Sequence, residues 1–195
     1  FNRVDFYASA TGPNRHPRKG DFNYLNLDIT NKNEILEIFD KIKPHTFIHT
    51  AAMTNVDACE ADQEKCKLLN VDAVNFLIEA CNKFKTHFIH LSTDFIFDGA
   101  AGPYKENDPA NPLSYYGWSK LEAENLLINK SNNWSILRTI LVYGIVNDMS
   151  RSNIVLWAKS ALESGKELKV VDDQFRMPTL AEDLAMGCFL CEKLN

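Results

Sequence analysis

Short apolar runs alternate with amphipathic helical patterns along the whole chain, and no other feature narrows its fold so far. Apolar runs at 4–8, 24–27, 46–50, 87–91, 135–142 and 168–171 have the length and composition of strands. Between them the spacing predicts helices. Thr30 is the expected N-cap of one whose Ile35, Leu36, Phe39 and Ile42 share a face before Pro44. A long helix is expected over 63–84, with Leu69, Ala73, Val74, Leu77, Ile78 and Cys81 as its buried stripe. Further helices are expected over 115–128, Ile154–Glu163 and Ala181–Lys193. The segment 11–20 reads as a Gly/Pro/Asn/Arg-rich loop.

Strands and helices in this alternation imply right-handed crossovers and an α/β fold, a doubly wound parallel sheet (Rossmann-like) covered on both faces. Such sheets hold ligands beyond the carboxyl ends of their strands. The chemistry is therefore expected after Leu27, Thr50, Leu91 and Val142.

A net charge of −5 supplies no basic field for a nucleic-acid partner. No apolar run approaches the roughly 18–20 residues that span a bilayer, so no membrane partner is expected. The first residues have no signal-peptide layout and no initiator Met, and they run at once into a strand, so the segment reads as cut from a longer chain. Five cysteines, an odd number lying mostly in helical patterns, point to a reduced, cytoplasmic protein. Cys188 and Cys191 have the spacing of a metal pair, but without a second Cys/His pair they read as helix-face residues, and no metal is expected.

Ser92-Thr93-Asp94 places two hydroxyls and a carboxylate at a strand tip, and Tyr116-Gly117-Trp118-Ser119-Lys120 opens a helix. A separation of four sets Tyr116 and Lys120 on one face. A phenol titrates near about 10 in water, and an ammonium one turn away is expected to lower that value. Thr93 can hold a carbonyl against the same phenol, giving general acid/base chemistry for carbonyl–alcohol interconversion. Tyr-x-x-x-Lys also occurs by chance, as an interface Tyr and a solvated Lys. The Ser-Thr pair at a strand end, in an alternating α/β chain, weighs against that reading.

Several segments resemble the extended short-chain dehydrogenase/reductase family, and within it the dTDP-4-dehydrorhamnose reductases. They are Leu27-Asp28-Ile29-Thr30, the stretch from Thr50 to Asp57 with Glu60, Leu69-Asn70-Val71, the stretch from Leu91 to Gly99, Tyr116 to Lys120, and Val171 to Thr179. The resemblance implies that Asp28 and Ile29 meet the adenine end of an NADP (or NAD) cofactor. Ala51, Ala52, Met53 and Thr54 would line its pyrophosphate and ribose. Lys120 would bond the nicotinamide ribose, Tyr116 would protonate the nascent oxygen, and Thr93 and Asp94 would face a nucleotide-sugar substrate. It also implies a cofactor domain over 1–145, a partial substrate-binding region over 146–195, and the reaction of dTDP-L-rhamnose synthesis that reduces a C4 keto group. A homodimer is a further expectation.

The chain departs from the pattern. The Gly-rich turn that holds a pyrophosphate is not in the sequence, and with its strand it is expected upstream of Phe1. Phe95 stands where these reductases commonly have Tyr, and Leu141 where an aromatic residue lies near the sugar. The loop after the expected second strand carries Asn14, Arg15 and Arg18 and no acid up to Lys19, which suits a 2′-phosphate and so NADP, the alternative being a solvated basic loop. Two rival readings remain: a sugar-nucleotide epimerase or dehydratase using the same Tyr–Lys pair, and a regulatory subunit resembling the methionine adenosyltransferase β subunit.

Overall fold

Asn31, not Thr30, starts the first helix of the computed structural model, which describes residues 4–144, 154–170, 172–173 and 176–194. Its side-chain oxygen accepts from the backbone N–H groups of Asn33 and Glu34 at 3.2 and 3.3 Å. Thr30 is taken up one step earlier, donating both its N–H and its hydroxyl to Asp28 Oδ1. Helix α1 (Lys32–Ile42) ends where Lys43 turns left-handed at φ 50° ahead of Pro44.

Among the described residues there are five strands: β1 (Tyr7–Ala10), β2 (Asn23–Asn26), β3 (Thr46–His49), β4 (His87–Thr93) and β5 (Trp134–Thr139). All pairings are parallel, as the alternation predicts. The strands fall into two sheets rather than one, β1-β2 and β3-β4-β5, because no ladder among the described residues joins β1 to β3. Strand β5 stops short of the expected 142, since Leu141 takes a left-handed φ of 43°. Residues 168–170 form no strand.

Helices α2 (Val56–Ala61) and α3 (Gln63–Lys67) precede a wide π turn at Leu68–Asp72, after which α4 (Ala73–Phe84) continues the run. The expected single helix over 63–84 is thus a helix with a π bulge, and α2 was not expected at all. Later come α5 (Tyr115–Lys130), α6 (Ile154–Glu163) and α7 (Ala181–Lys193), the last two at their expected bounds.

Alternation along β4 sorts the layers. Phe88 packs with Val74 and Leu77 of α4 and Ala123 and Leu127 of α5, all buried. The opposite face meets α7, where a Cβ on Gly187 would stand 3.2 Å from Leu137. Ile35 and Phe39 of α1 complete the main core. The C-terminal segment rejoins the β5 side through a parallel bridge between Tyr143 and Leu180, with Tyr143 N–H donating to Thr179 O at 3.0 Å. No described helix is long and apolar enough to cross a membrane.

Candidate active site

The carboxyl ends of β3 and β4 and the first turn of α5 meet at one place. Thr93 closes β4 and caps a 3-10 turn, Asp94–Ile96: its hydroxyl oxygen accepts from Phe95 N–H at 3.2 Å, and the hydroxyl donates to Asp94 Oδ1 at 3.3 Å. Burial raises the Asp94 carboxyl above its usual range, against the opposing pull of Arg176 and of Thr93. Arg176 reaches in from the C-terminal segment and lies 4.8 Å over the Phe95 ring.

Ser114 caps α5, accepting from Gly117 N–H at 3.1 Å. Gly117 lets that turn press against the Asp94–Ile96 turn, because a Cβ there would sit 2.3 Å from the Phe95 carbonyl oxygen. Gly to Ala inside a helix ordinarily stabilises by up to about 1 kcal/mol. Here the clash is with backbone and cannot rotate away, so Gly117→Ala is expected to destabilise by about 1–3 kcal/mol. Urea unfolding reads this directly, and a gain in stability would refute the close approach.

Tyr116 follows Ser114 in this turn, 9% exposed, with Phe95 edge-on at 5.6 Å. Its phenol is raised, not lowered as the sequence suggested: burial outweighs the neighbouring Thr93 hydroxyl, which pulls the other way. The Lys120 ammonium does not offset that burial, because it is engaged elsewhere. It is 3% exposed and donates to the Leu91 carbonyl at 2.7 Å, with His90 Nε2 at 3.1 Å. Burial brings Lys120 down to about 8, with Glu124 opposing.

Asn70, quoted in a motif but given no role, proves to be the link between loop and helix. Placed by the π turn and 1% exposed, it accepts from Met53 N–H at 2.8 Å and donates to Met53 O at 3.0 Å. It also donates to Ser119 Oγ at 3.0 Å, and Ser119 donates to Tyr116 O at 2.7 Å. The segment Ala51-Ala52-Met53-Thr54 is thereby tied to the helix that carries Tyr116 and Lys120. Only the side-chain type and its helical setting hint at this in the sequence.

The remaining expected residues stand apart. Asp28 is occupied by Thr30, and Ile29 packs on the core. Arg15 lies on the exposed loop, where Arg18 pairs with Asp21 at 3.6 Å. Leu141 is 37% exposed at its left-handed turn. Val171, Gln174 and Phe175 of the last motif lie outside the described residues. The five cysteines are free, burial raises Cys59 and Cys81 to about 12, and no metal-holding group occurs among the described residues.

His49 is buried against Phe47, Phe88 and His90. Burial first, and the Lys120 charge second, hold its imidazole neutral down to about 3. The unfolded chain takes up that proton below about 6.5. Between those limits unfolding binds protons, so stability falls as pH drops through the window. The melting temperature is expected to fall between pH 6.5 and 4, and less steeply in His49→Phe, which keeps a packed ring. Parallel slopes in the two proteins would count against this account.

A family profile described as the RmlD substrate binding domain matches residues 7–193. A dTDP-4-dehydrorhamnose reductase of Aggregatibacter actinomycetemcomitans is 38% identical over 163 residues, 83% of this chain and 54% of that protein. The methionine adenosyltransferase 2 subunit beta of Xenopus tropicalis is 33% identical over 189 residues, 96% of this chain and 55% of that protein. The chain thus spans about half the length of the curated relatives it matches. The crystal structure of a dTDP-4-dehydrorhamnose reductase from Bacillus anthracis in complex with NADP superimposes with a TM-score of 0.80 at 29% identity, over 90% of this chain and 63% of that one.

Proposed function

The chain belongs to the RmlD substrate binding domain family, and from that premise we propose that it is an NAD(P)H-dependent reductase of a nucleotide-linked 4-keto-6-deoxy sugar, of the dTDP-4-dehydrorhamnose type. The observation that carries this reading is the buried Tyr116 phenol packed on Phe95 beside the Thr93 turn, with the buried Lys120 ammonium one helical turn on. A phenol raised by burial stays protonated near neutrality, which is the state a proton donor needs. Thr93 holds the substrate carbonyl toward it, and Asp94 and Arg176 border the sugar side. Asn70 keeps the Met53 segment fixed beneath the ligand.

A nicotinamide cofactor supplies the hydride when bound. The residues present fit its nicotinamide end: the Lys120 ammonium spends two of its three donors on His90 and the Leu91 carbonyl, and Ala51 and Ala52 would line the ribose. The adenine end is assigned to Asp28, Ile29 and Arg15, and Arg15 with Asn14 and Arg18 favours NADP. Residues 1–145 would form the cofactor domain and 146–195, with Leu141 at its border, part of the substrate region.

The test is NADPH absorbance in the full-length protein with dTDP-4-dehydrorhamnose, where one NADPH should be lost per sugar reduced. Sugar turnover without NADPH loss would assign an epimerase or dehydratase instead. A second reading, a methionine adenosyltransferase regulatory subunit, draws support from the greater extent of that likeness, 189 residues against 163. Binding to the adenosyltransferase catalytic subunit, with no turnover of either kind, would favour it.

A further inference from the structure

Between β3, β4 and α5 an amine and two imidazoles are packed out of reach of water. Lys120 Nζ lies 3.1 Å from His90 Nε2 and 2.7 Å from the Leu91 carbonyl. An ammonium has three donors and no acceptor. Nε2 must therefore accept, and the single ring proton of a neutral His90 must sit on Nδ1. That Nδ1 is buried and has no hydrogen-bond partner among the described residues.

A buried N–H left unpaired loses its bond to water without replacement, and burying an imidazole beside an ammonium adds to that cost. An apolar side chain would avoid both penalties in a strand whose neighbours are Ile89 and Leu91. The ring's orientation is fixed from two sides: His49 of β3 stacks on it at 5.4 Å and 24°, and Phe88 meets it edge-on at 6.1 Å. The charged and titratable groups acting on Lys120 are His90 from β4, His49 from β3 and Glu124 from its own helix. Arg138 of β5 is already paired with Glu124.

We propose that His90 is a positioning residue: its Nε2 accepts from the Lys120 ammonium and, with the Leu91 carbonyl, pins that ammonium so that one N–H remains directed to a bound ligand. His49 acts behind it by holding the ring plane. The consequence for function rests on the reading of Lys120 as part of a reductase site, but the contact itself does not. Its neutrality agrees with the strong downward push on His90 from burial, from Lys120 and from His49.

The test is nitrogen-15 and carbon-13 NMR of the full-length protein, with the Lys120 signal assigned through Lys120→Arg. His90 is expected to carry its proton on Nδ1 wherever Lys120 is charged. In His90→Phe the proton affinity of Lys120 should fall about tenfold, and in His90→Gln, which restores an acceptor at the Nε2 position, it should return to within about threefold of the parent. The alkaline limb of kcat/KM should move to lower pH in His90→Phe and back in His90→Gln. A proton on Nε2, or an unmoved Lys120 titration in His90→Phe, would overturn the proposal. The tautomer decides the matter even if His90→Phe fails to fold. A shifted Lys120 titration with no reductase activity in the parent would leave the positioning role standing and remove the reductase reading alone.

Discussion

Tyr116→Phe is expected to lower kcat by about 10²–10⁴-fold, the range for a positioned proton donor. The phenol is buried and, raised by that burial, stays protonated near neutrality. Its removal leaves the ring contact with Phe95 and the Ser119–Tyr116 backbone bond in place, since neither uses the hydroxyl. Stability should change by no more than about 1 kcal/mol, the net worth of one hydrogen bond. The loss should fall on kcat rather than KM, because the proton is delivered in the transition state. Stopped-flow NADPH oxidation beside urea unfolding separates the two effects. Full turnover in a folded Tyr116→Phe protein would end the catalytic assignment of Tyr116.

The largest expected effect on stability is at Glu124. It is 1% exposed on α5 and grips Arg138 of β5 by two bonds, Nε to Oε1 at 3.0 Å and an Nη to Oε2 at 2.7 Å. Arg138 also donates to Glu106 O at 2.8 Å and lies 5.4 Å over Phe97, so the pair fastens helix, strand and the 97–111 loop together. Glu124→Leu strands the guanidinium. Breaking a buried pair costs about 3–5 kcal/mol. The Arg138 side chain keeps 26% exposure and can partly hydrate, so a value near the lower end, about 3 kcal/mol, is expected. Glu124→Leu combined with Arg138→Met removes both charges and should recover most of it. Urea midpoints at constant m measure the cycle. A single-variant cost below about 1 kcal/mol would show that the ion pair is not a fastening.

Much of this was legible in the chain because it is written in local periodicity. The apolar stripe of α4 and the bounds of α6 and α7 follow from spacing alone. The misplaced helix start came from treating Thr30 as the cap, when Asp28 had already claimed both its donors. The π turn escaped because it is a single wide turn at Leu68–Asp72, and the apolar stripe of α4 begins only after it. Helix α2 is only six residues long and is marked chiefly by its Asn55 cap. Tyr116, Lys120 and Thr93 were recognisable by type and spacing, whereas the direction of the phenol's shift was not. Burial sets that direction, and burial depends on how Phe95 and Gly117 pack. Asn70 and His90 escaped for the same reason: their partners Met53, Ser119 and Lys120 are brought in by crossovers.

The division of the strands into two sheets also bears on how the molecule breathes. Strand β4 has a ladder on both sides and helices on both faces, so its amides should exchange with solvent only on global unfolding. Among the described residues the β1-β2 ribbon has four residue pairs and no further ladder, and neither strand is fully buried. It should open by local fluctuation, many times more often than β4. The proposed adenine end at Arg15 and the end at Tyr116 would then belong to different cooperative units. A ligand long enough to touch both would couple them, and its binding would register as slowed exchange in β1 and β2.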